Sequence, residues 1–95
     1  MNIIKLKLYV SGTPTQTLPQ VQRLREMLDA RYADRYELQV FNVLEHPSDA
    51  DEDGIYLTPT LMRYHPPPQV RILGEISSGE RLLAWLDSGL PSTAD

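Results

Sequence analysis

The segment Leu57–Gly74, which reads LTPTLMRYHPPPQVRILG, decides the fold of this chain. It holds four of the eight prolines, Pro59 and the run Pro66–Pro68. Proline fixes its own φ, lacks an N–H group and pushes the preceding residue toward extended geometry. We therefore predict two strands, Thr60–Tyr64 and Val70–Leu73, joined by a stiff connector. X-Pro bonds are also where cis peptides occur, and we expect this segment to carry any conformational switch.

Before this segment, the sequence predicts a strand, a helix and a second strand. Apolar and polar residues alternate over Ile4–Val10, a period of two that is typical of a strand. The motif Thr17–Gln20 (TLPQ) has the form of a capping box, and apolar residues at helical spacing after it predict a helix over residues 18–32. Tyr36–Leu44 is predicted to be the second strand. A helix between two strands indicates a βαβ unit with parallel strands and a right-handed crossover.

Two more helices are predicted in the second half of the chain. Pro47–Ser48 starts an acidic segment that favours a short helix, because carboxylates stabilise a helix N-terminus. A second capping box at Ser77–Glu80 precedes apolar residues and predicts a helix over residues 78–88. The predicted order is β-α-β-(α)-β-β-α in a single domain, residues 1–95, with a frayed tail at 91–95.

Composition excludes several classes of function. The chain has no cysteine, which removes disulfides, thiol catalysis and thiolate metal sites. Its net charge of −4 disfavours a nucleic-acid partner, because nothing would neutralise the phosphates. No apolar run is long enough to span a bilayer, and Met1 is followed by no signal-peptide pattern. We therefore expect no membrane partner and a cytoplasmic location.

No spacing of residues predicts a catalytic, cofactor or metal site. The motif at Asp49–Gly54 copies the start of an EF-hand loop, but Thr60 occupies the twelfth position, where that loop needs a bidentate carboxylate. His46 and His65 lie beside prolines, and two histidines fall short of the four ligands of a structural zinc site. Isolated glycines form no phosphate-binding loop. We expect a protein that is not an enzyme.

Three arginines in the second half of this acidic chain have two interpretations. They are solvated surface charge, or they form a patch on a sheet edge that docks an acidic protein surface. The residues are Arg63, Arg71 and Arg81. Taken alone, they do not decide between the two.

The order of elements resembles the thioredoxin-like fold. In that fold a cis-proline, which here would be Pro59, precedes the third strand and faces the loop after the first strand. That loop is Ser11–Thr15, and it lacks the Cys-x-x-Cys motif of the redox enzymes. The resemblance to this fold therefore carries no redox activity.

A set of spaced motifs from Ile4 to Asp87 resembles the KaiB family more closely. They are Leu6–Gly12 (LKLYVSG), Thr58–Leu61 (TPTL), Pro66–Pro68 (PPP), Arg71–Glu75 (RILGE) and Ser78–Leu83 (SGERLL). The resemblance implies a non-enzymatic clock or stress-response protein that binds KaiC, a ring-shaped P-loop ATPase. It also implies metamorphism between a monomeric thioredoxin-like form, competent to bind, and a homotetramer whose C-terminal half has a distinct ground-state fold.

A cysteine-free thioredoxin-like sensor or adaptor module of a SasA-type histidine kinase pathway is the alternative interpretation. The SasA-type sensor domain shares the thioredoxin-like form and competes for KaiC, as the resemblance implies. A third interpretation, less favoured than the KaiB-like protein and the SasA-type module, is a residual thioredoxin-type or glutathione-binding activity.

Several positions differ from the family pattern. Gly54 and Arg63 stand where the family has Lys, and Trp85 replaces a small residue in the segment that becomes extended in the ground-state fold. We expect Arg63 and Arg71 on the docking surface. We expect Trp85 to be buried against the sheet. Burial of apolar surface contributes roughly 25 cal/mol per Å², and this free energy would favour the thioredoxin-like form. The positions expected to matter for the switch or for structure are Pro59, Pro66, Pro67, Pro68, Trp85 and Asp87.

Overall fold

The computed structural model describes residues 3–74 and 79–87. Within these residues the chain forms elements in the order β-α-β-α-β-β-α, which confirms the predicted mixed α/β, thioredoxin-like class. The elements are β1 (Ile4–Val10), α1 (Pro14–Tyr32), β2 (Tyr36–Asn42), α2 (Pro47–Glu52), β3 (Thr60–His65), β4 (Val70–Leu73) and α3 (Gly79–Leu86).

The strands form one sheet in the order β2-β1-β3-β4. β1 and β2 are parallel, with Leu6 opposite Leu38, and this pairing confirms the predicted βαβ unit. β3 runs antiparallel to both of its neighbours, and its pairing with β1 places Leu61 opposite Leu8 and Arg63 opposite Leu6. Residues directly opposite each other in a sheet share a face. Arg63 therefore points to the same side as the apolar residues of β1.

The hydrophobic core lies between that face of the sheet and the helices α1 and α3. Alternate residues of β1 meet residues of α1 and α3 spaced three or four apart, as expected for one buried face of each element. The buried members are Ile4, Leu6, Leu8, Val10, Leu24, Leu28, Tyr32, Leu61, Ile72, Leu82 and Leu86. The opposite face of the sheet carries α2, which buries Ala50.

Helix α1 begins four residues before the predicted start. Thr13 is its N-cap and Pro14 its first residue, and the Gln16 Oε1 atom accepts a hydrogen bond from the Thr13 N–H at 2.9 Å. The sequence holds two consecutive motifs of capping-box form, and the earlier one starts the helix because it places a proline at the first helical position, where no N–H is needed. Pro19 then lies inside the helix.

The other elements follow the prediction with small changes at their ends. β2 ends at Asn42, two residues early, because the Asn42 carbonyl and side chain accept hydrogen bonds from Glu45, His46 and Leu44 and close a turn. The predicted short helix at Pro47 is present, β4 has the predicted bounds and β3 is one residue longer than predicted. The predicted capping box at Ser77 and the tail at 91–95 lie outside the described residues.

In the described part of the chain, none of the helices combines the length and the apolar character needed to cross a membrane.

Candidate functional site

Arg63 lies in the core, which corrects the expectation that it faces a partner. Its side chain is 0% exposed. One terminal nitrogen donates to the Leu86 carbonyl, and the other donates to the Pro68 carbonyl at 2.9 Å. The prediction of an exposed basic patch that includes Arg63 is therefore wrong for this structure. The physical reason is the register of β3, which sets Arg63 on the helix-facing side, two residues after Leu61.

The positive charge of Arg63 is met by carbonyl dipoles rather than by a carboxylate. Burial lowers the pKa of its guanidinium, while Tyr32 and Asp87 act weakly in the opposite sense. Leu86 ends α3, so its carbonyl is one of the groups that a helix leaves without an internal partner, and an arginine is a suitable donor there. The Arg63 Nε atom is buried without a hydrogen-bond partner in the described part of the chain. Arg63 thus joins the end of α3 to the loop between β3 and β4.

Asp87, expected at a structural position, joins the end of α3 to the last turn of α1. The Tyr32 hydroxyl donates to its Oδ1 atom at 2.6 Å, and Arg31 forms an ion pair with its Oδ2 atom. Burial raises the pKa of the Tyr32 phenol, and the hydrogen bond to the Asp87 carboxylate raises it further. The phenol is therefore held in its neutral, donating form.

A second polar group attaches α2 to the opposite face of the sheet. The Asp53 carboxylate accepts hydrogen bonds from the Tyr9 hydroxyl and, at 3.1 Å, from Lys7 Nζ. Partial burial acts to raise the pKa of Asp53, but the bonds from Tyr9 and Lys7 outweigh it and the pKa lies below its ordinary value. We call Lys7, Tyr9, Asp53 and Arg71 the Asp53 anchor.

Arg71, the other predicted docking residue, belongs to this anchor from the side of β4. Its side chain is exposed and donates to the carbonyls of Asp53 and, at 3.2 Å, Gly54. The guanidinium thus fixes the turn after α2, and its outer surface remains open to a partner. The two predicted docking arginines therefore do not lie together: Arg63 faces the helices and Arg71 faces the other side of the sheet.

Aromatic rings surround Lys7 on this second face. Its Nζ atom lies 5.2 Å from the centre of the Tyr64 ring and 5.9 Å from that of Phe41. The Phe41 ring stacks on the Tyr9 ring, with 5.2 Å between the ring centres, and is nearly perpendicular to the His46 ring. These contacts hold in place the side chains of the sheet face on which α2 lies.

Trp85 is not buried against the sheet, which corrects a second expectation. Its side chain is 49% exposed, whereas Leu82 and Leu86 are buried. Leu82 and Leu86 are four residues apart and share one face of α3, and Trp85 is turned by about 100° from Leu86. Only part of the packing energy expected from this residue is therefore present.

The prolines of the segment Leu57–Gly74 lie at the two ends of β3. The bonds Thr58–Pro59, His65–Pro66 and Pro67–Pro68 are cis, so the cis-proline implied by the resemblance is present at Pro59. The Pro59 carbonyl accepts a hydrogen bond from the Gly74 N–H at 2.9 Å, which closes the start of β3 against the end of β4.

Within residues 3–74 and 79–87, no three or more His, Cys, Asp or Glu side chains are grouped so that they could hold a metal ion. The three aspartates of the EF-hand-like motif lie in different settings. Asp49 is near His46, with 3.6 Å between Oδ2 and Nδ1, and Asp53 belongs to the anchor.

Comparison with known proteins matches nearly the whole chain. A family model described as "KaiB domain" matches residues 7–88. A circadian clock oscillator protein KaiB of Parasynechococcus marenigrum is 41% identical over 90 residues, which are 95% of this chain and 86% of the relative. A circadian clock protein KaiB3 of Synechocystis sp. is 36% identical over 92% of this chain and 85% of its own length. Both relatives are named as clock proteins.

The fold is similar to those of two solved structures. The N-terminal domain of Synechococcus elongatus SasA matches with a TM-score of 0.71 and 27% identity, over 92% of this chain and 82% of that domain. A malarial protein matches with a TM-score of 0.76 at 15% identity, which is a likeness of fold alone.

Proposed function

Because the chain belongs to the KaiB family, we propose that it is a KaiB-like regulatory protein of a circadian clock or of a clock-derived or stress-response system. It acts by binding a KaiC-type ring ATPase and not by catalysis. The observation that supports this most is the combination of a KaiB sequence with the conformation of the SasA N-terminal domain. The resemblance implies that this conformation is the one competent to bind.

Binding in this form uses the sheet face that carries α2. Arg71 is the docking cation of the proposal, because its side chain is exposed and already fixed by two carbonyls. Arg63 acts indirectly, since it is buried and holds the end of α3 in place. A fixed side chain loses little conformational entropy on binding.

Fold switching belongs to the same proposal. The contacts of Arg63 and Asp87 fix the end of α3, so both must break before residues 79–87 can become extended. Release of α3 would give the alternative, self-associating form implied by the family resemblance, as a homodimer or homotetramer.

The test is direct binding to a purified KaiC-type ATPase. Size-exclusion chromatography of the mixed pure proteins should give a complex, and Arg71→Glu should weaken it, with the larger loss at low salt. A wild type that elutes alone at every concentration and nucleotide state would contradict the proposal. Binding that is unchanged by Arg71→Glu would remove Arg71 from the surface.

A module of a SasA-type kinase pathway is the second candidate, and its support is the structural match to the SasA domain. A pull-down from the source lysate separates the two, because it would recover a histidine kinase in place of the ATPase.

A further inference from the structure

Large apolar side chains are exposed around α2. Tyr56 is 94% exposed, Leu44 71% and Leu57 50%. All three lie in the stretch Leu44–Leu57, which begins just after β2, contains α2 and ends just before β3. We call this stretch the docking segment. Large apolar side chains left exposed within one short stretch indicate a contact surface.

The charge of the docking segment has one sign. It contains five acids and no Lys or Arg: Glu45, Asp49, Asp51, Glu52 and Asp53. Asp53 is paired with Lys7 in the anchor. The other four are exposed, and no Lys or Arg side chain lies within 4.0 Å of their carboxylates in the described part of the chain, which includes all nine Lys and Arg residues.

The docking segment is fixed before any partner arrives. Backbone hydrogen bonds close it internally, among them Ile55 N–H to the Ala50 carbonyl at 2.9 Å and Ala50 N–H to the His46 carbonyl at 3.2 Å. Tyr9 donates to the Asp49 carbonyl at 3.3 Å, and Arg71 holds the turn at Gly54. A surface ordered in advance loses less entropy when a partner binds.

From these observations we propose that the docking segment receives a basic partner surface, one that carries Lys or Arg side chains around an apolar pocket for Tyr56 or Leu57. Charge complementarity selects this occupant, because an acidic surface would bring like charges together around the apolar contact. The inference rests on the proposed function for the identity of the partner, the KaiC-type ATPase, and adds the chemistry of its docking face. Arg71 lies at the border of the segment, and in this proposal it meets an acidic group at the edge of the otherwise basic face, which is why Arg71→Glu should weaken binding.

A second copy of this chain is the competing occupant. Two docking segments facing each other would repel, but the exposed Arg23 and Arg25 of α1 offer a basic surface on another copy. The experiment must therefore report self-association as well.

The main test compares two charge reversals of equal size. Glu52→Lys alters the docking segment, and Glu26→Lys alters the exposed side of α1 and serves as the matched control. Affinity for the ATPase should fall at least tenfold for Glu52→Lys and change less than twofold for Glu26→Lys, and the difference should shrink as salt rises. Tyr56→Ser should also weaken binding, by an amount that does not depend on salt.

A second probe keeps the inference separate from the proposed function. A synthetic amphipathic peptide of Lys and Leu is titrated into the isotopically labelled protein, and a matched peptide of Glu and Leu is the control. The Lys-Leu peptide should shift the amide resonances of the docking segment, and Glu52→Lys should weaken that effect more than Glu26→Lys. If the ATPase does not bind but the Lys-Leu peptide shifts these resonances as expected, the proposed function fails. The inference that the docking segment binds a basic surface then stands.

Three results would overturn the inference. One is an ATPase complex that Glu52→Lys leaves intact, in which case the proposed function stands alone. Another is binding of the Lys-Leu peptide that Glu52→Lys and Glu26→Lys weaken equally, because the peptide then responds to the net charge of the protein and not to the docking segment. The third is self-association in sedimentation analysis that Glu52→Lys abolishes, because the occupant is then a second copy.

Discussion

The two halves of the molecule are stabilised in different ways. β1, α1 and β2 pack through apolar side chains, and Leu6, Leu24 and Leu28 are fully buried. The elements of the second half add polar contacts at their ends: Arg63 at the end of α3, Asp87 against α1, and the Asp53 anchor beneath α2. Apolar burial is non-directional, whereas a hydrogen bond is lost when one atom moves. The polar contacts at these ends can therefore break one at a time.

This difference matches the proposed division of labour. The first half provides a framework that does not change, and the second half carries both the docking segment and the helix that would move in a switch. Low-stability regions that open separately from the rest of a domain are where conformational changes originate. The variants below test the comparison.

The largest expected effect comes from the apolar framework. Leu28→Ala removes a fully buried side chain of α1 and should lower the free energy of unfolding by roughly 2–5 kcal/mol, the range for such cavities. Urea denaturation followed by circular dichroism measures it. Hydrogen exchange should accelerate in both halves together. A loss of amide protection confined to α1 would contradict the role of β1, α1 and β2 as the framework of the whole domain.

Arg63→Ala should have the next largest effect. It leaves the buried Leu86 carbonyl and the partly buried Pro68 carbonyl without their donor and opens a cavity, which should cost about 3 kcal/mol. Hydrogen exchange should show the greatest loss of protection in α3. Arg63→Met is the matched control, because it keeps most of the side-chain volume but, like Arg63→Ala, removes both hydrogen bonds. Its loss of stability should be smaller than that of Arg63→Ala, since no cavity opens and the desolvated charge is gone, but α3 should still lose protection. An Arg63→Met variant with the stability and the α3 protection of the wild type would mean that the hydrogen bonds of Arg63 do not hold α3.

Tyr32→Phe should have a smaller effect, limited to the junction of α1 and α3. It removes one hydrogen bond to Asp87 and keeps the buried ring, which should cost about 1 kcal/mol. The Tyr32 pKa is raised in the folded protein, so its contribution is complete below the ordinary tyrosine pKa of about 10 and is lost as pH rises above it. The stability difference between wild type and variant should therefore shrink in alkaline solution. A difference that is constant from pH 8 to about pH 12 would contradict this assignment.

Asp53→Asn should give the smallest change, with the opposite pH dependence. The Asp53 pKa is lowered on folding, so its contribution is present above the ordinary Asp pKa of about 3.9 and is lost as pH falls below it. At neutral pH the variant should lose about 0.5 kcal/mol, as is usual for a partly exposed ion pair. The two proteins should become equally stable in acid. Amide resonances of α2 report whether the helix is released.

The sequence predicted the fold because its local signals agree. Alternation in Ile4–Val10, the proline run at Pro66–Pro68 and the apolar spacing in α3 each specify an element, and the βαβ rule then fixes how β1 and β2 pair. The start of α1 was predicted four residues late because Thr13 and Thr17 each begin a motif of capping-box form, and the proline directly after Thr13 favours the earlier one.

The site was predicted less well, because it depends on which face a side chain takes. Arg63 shares its parity with Leu61 in β3, so the alternation rule would have placed it on the core side. The alternation was not applied to Arg63, and its charge indicates the surface, because a charged residue is rarely buried without a carboxylate. The anchor from Tyr9 to Asp53 joins residues 44 positions apart, and no local signal predicts such a pair.

The measurement that tests the central claim most directly is solution NMR of the labelled protein in complex with the ATPase. The claim is that the thioredoxin-like form binds. We expect helical chemical shifts for residues 79–86 and antiparallel contacts between β3 and β4 in the complex, unchanged from those described here. A complex in which residues 79–86 are extended, or in which β3 and β4 no longer pair, would contradict the account.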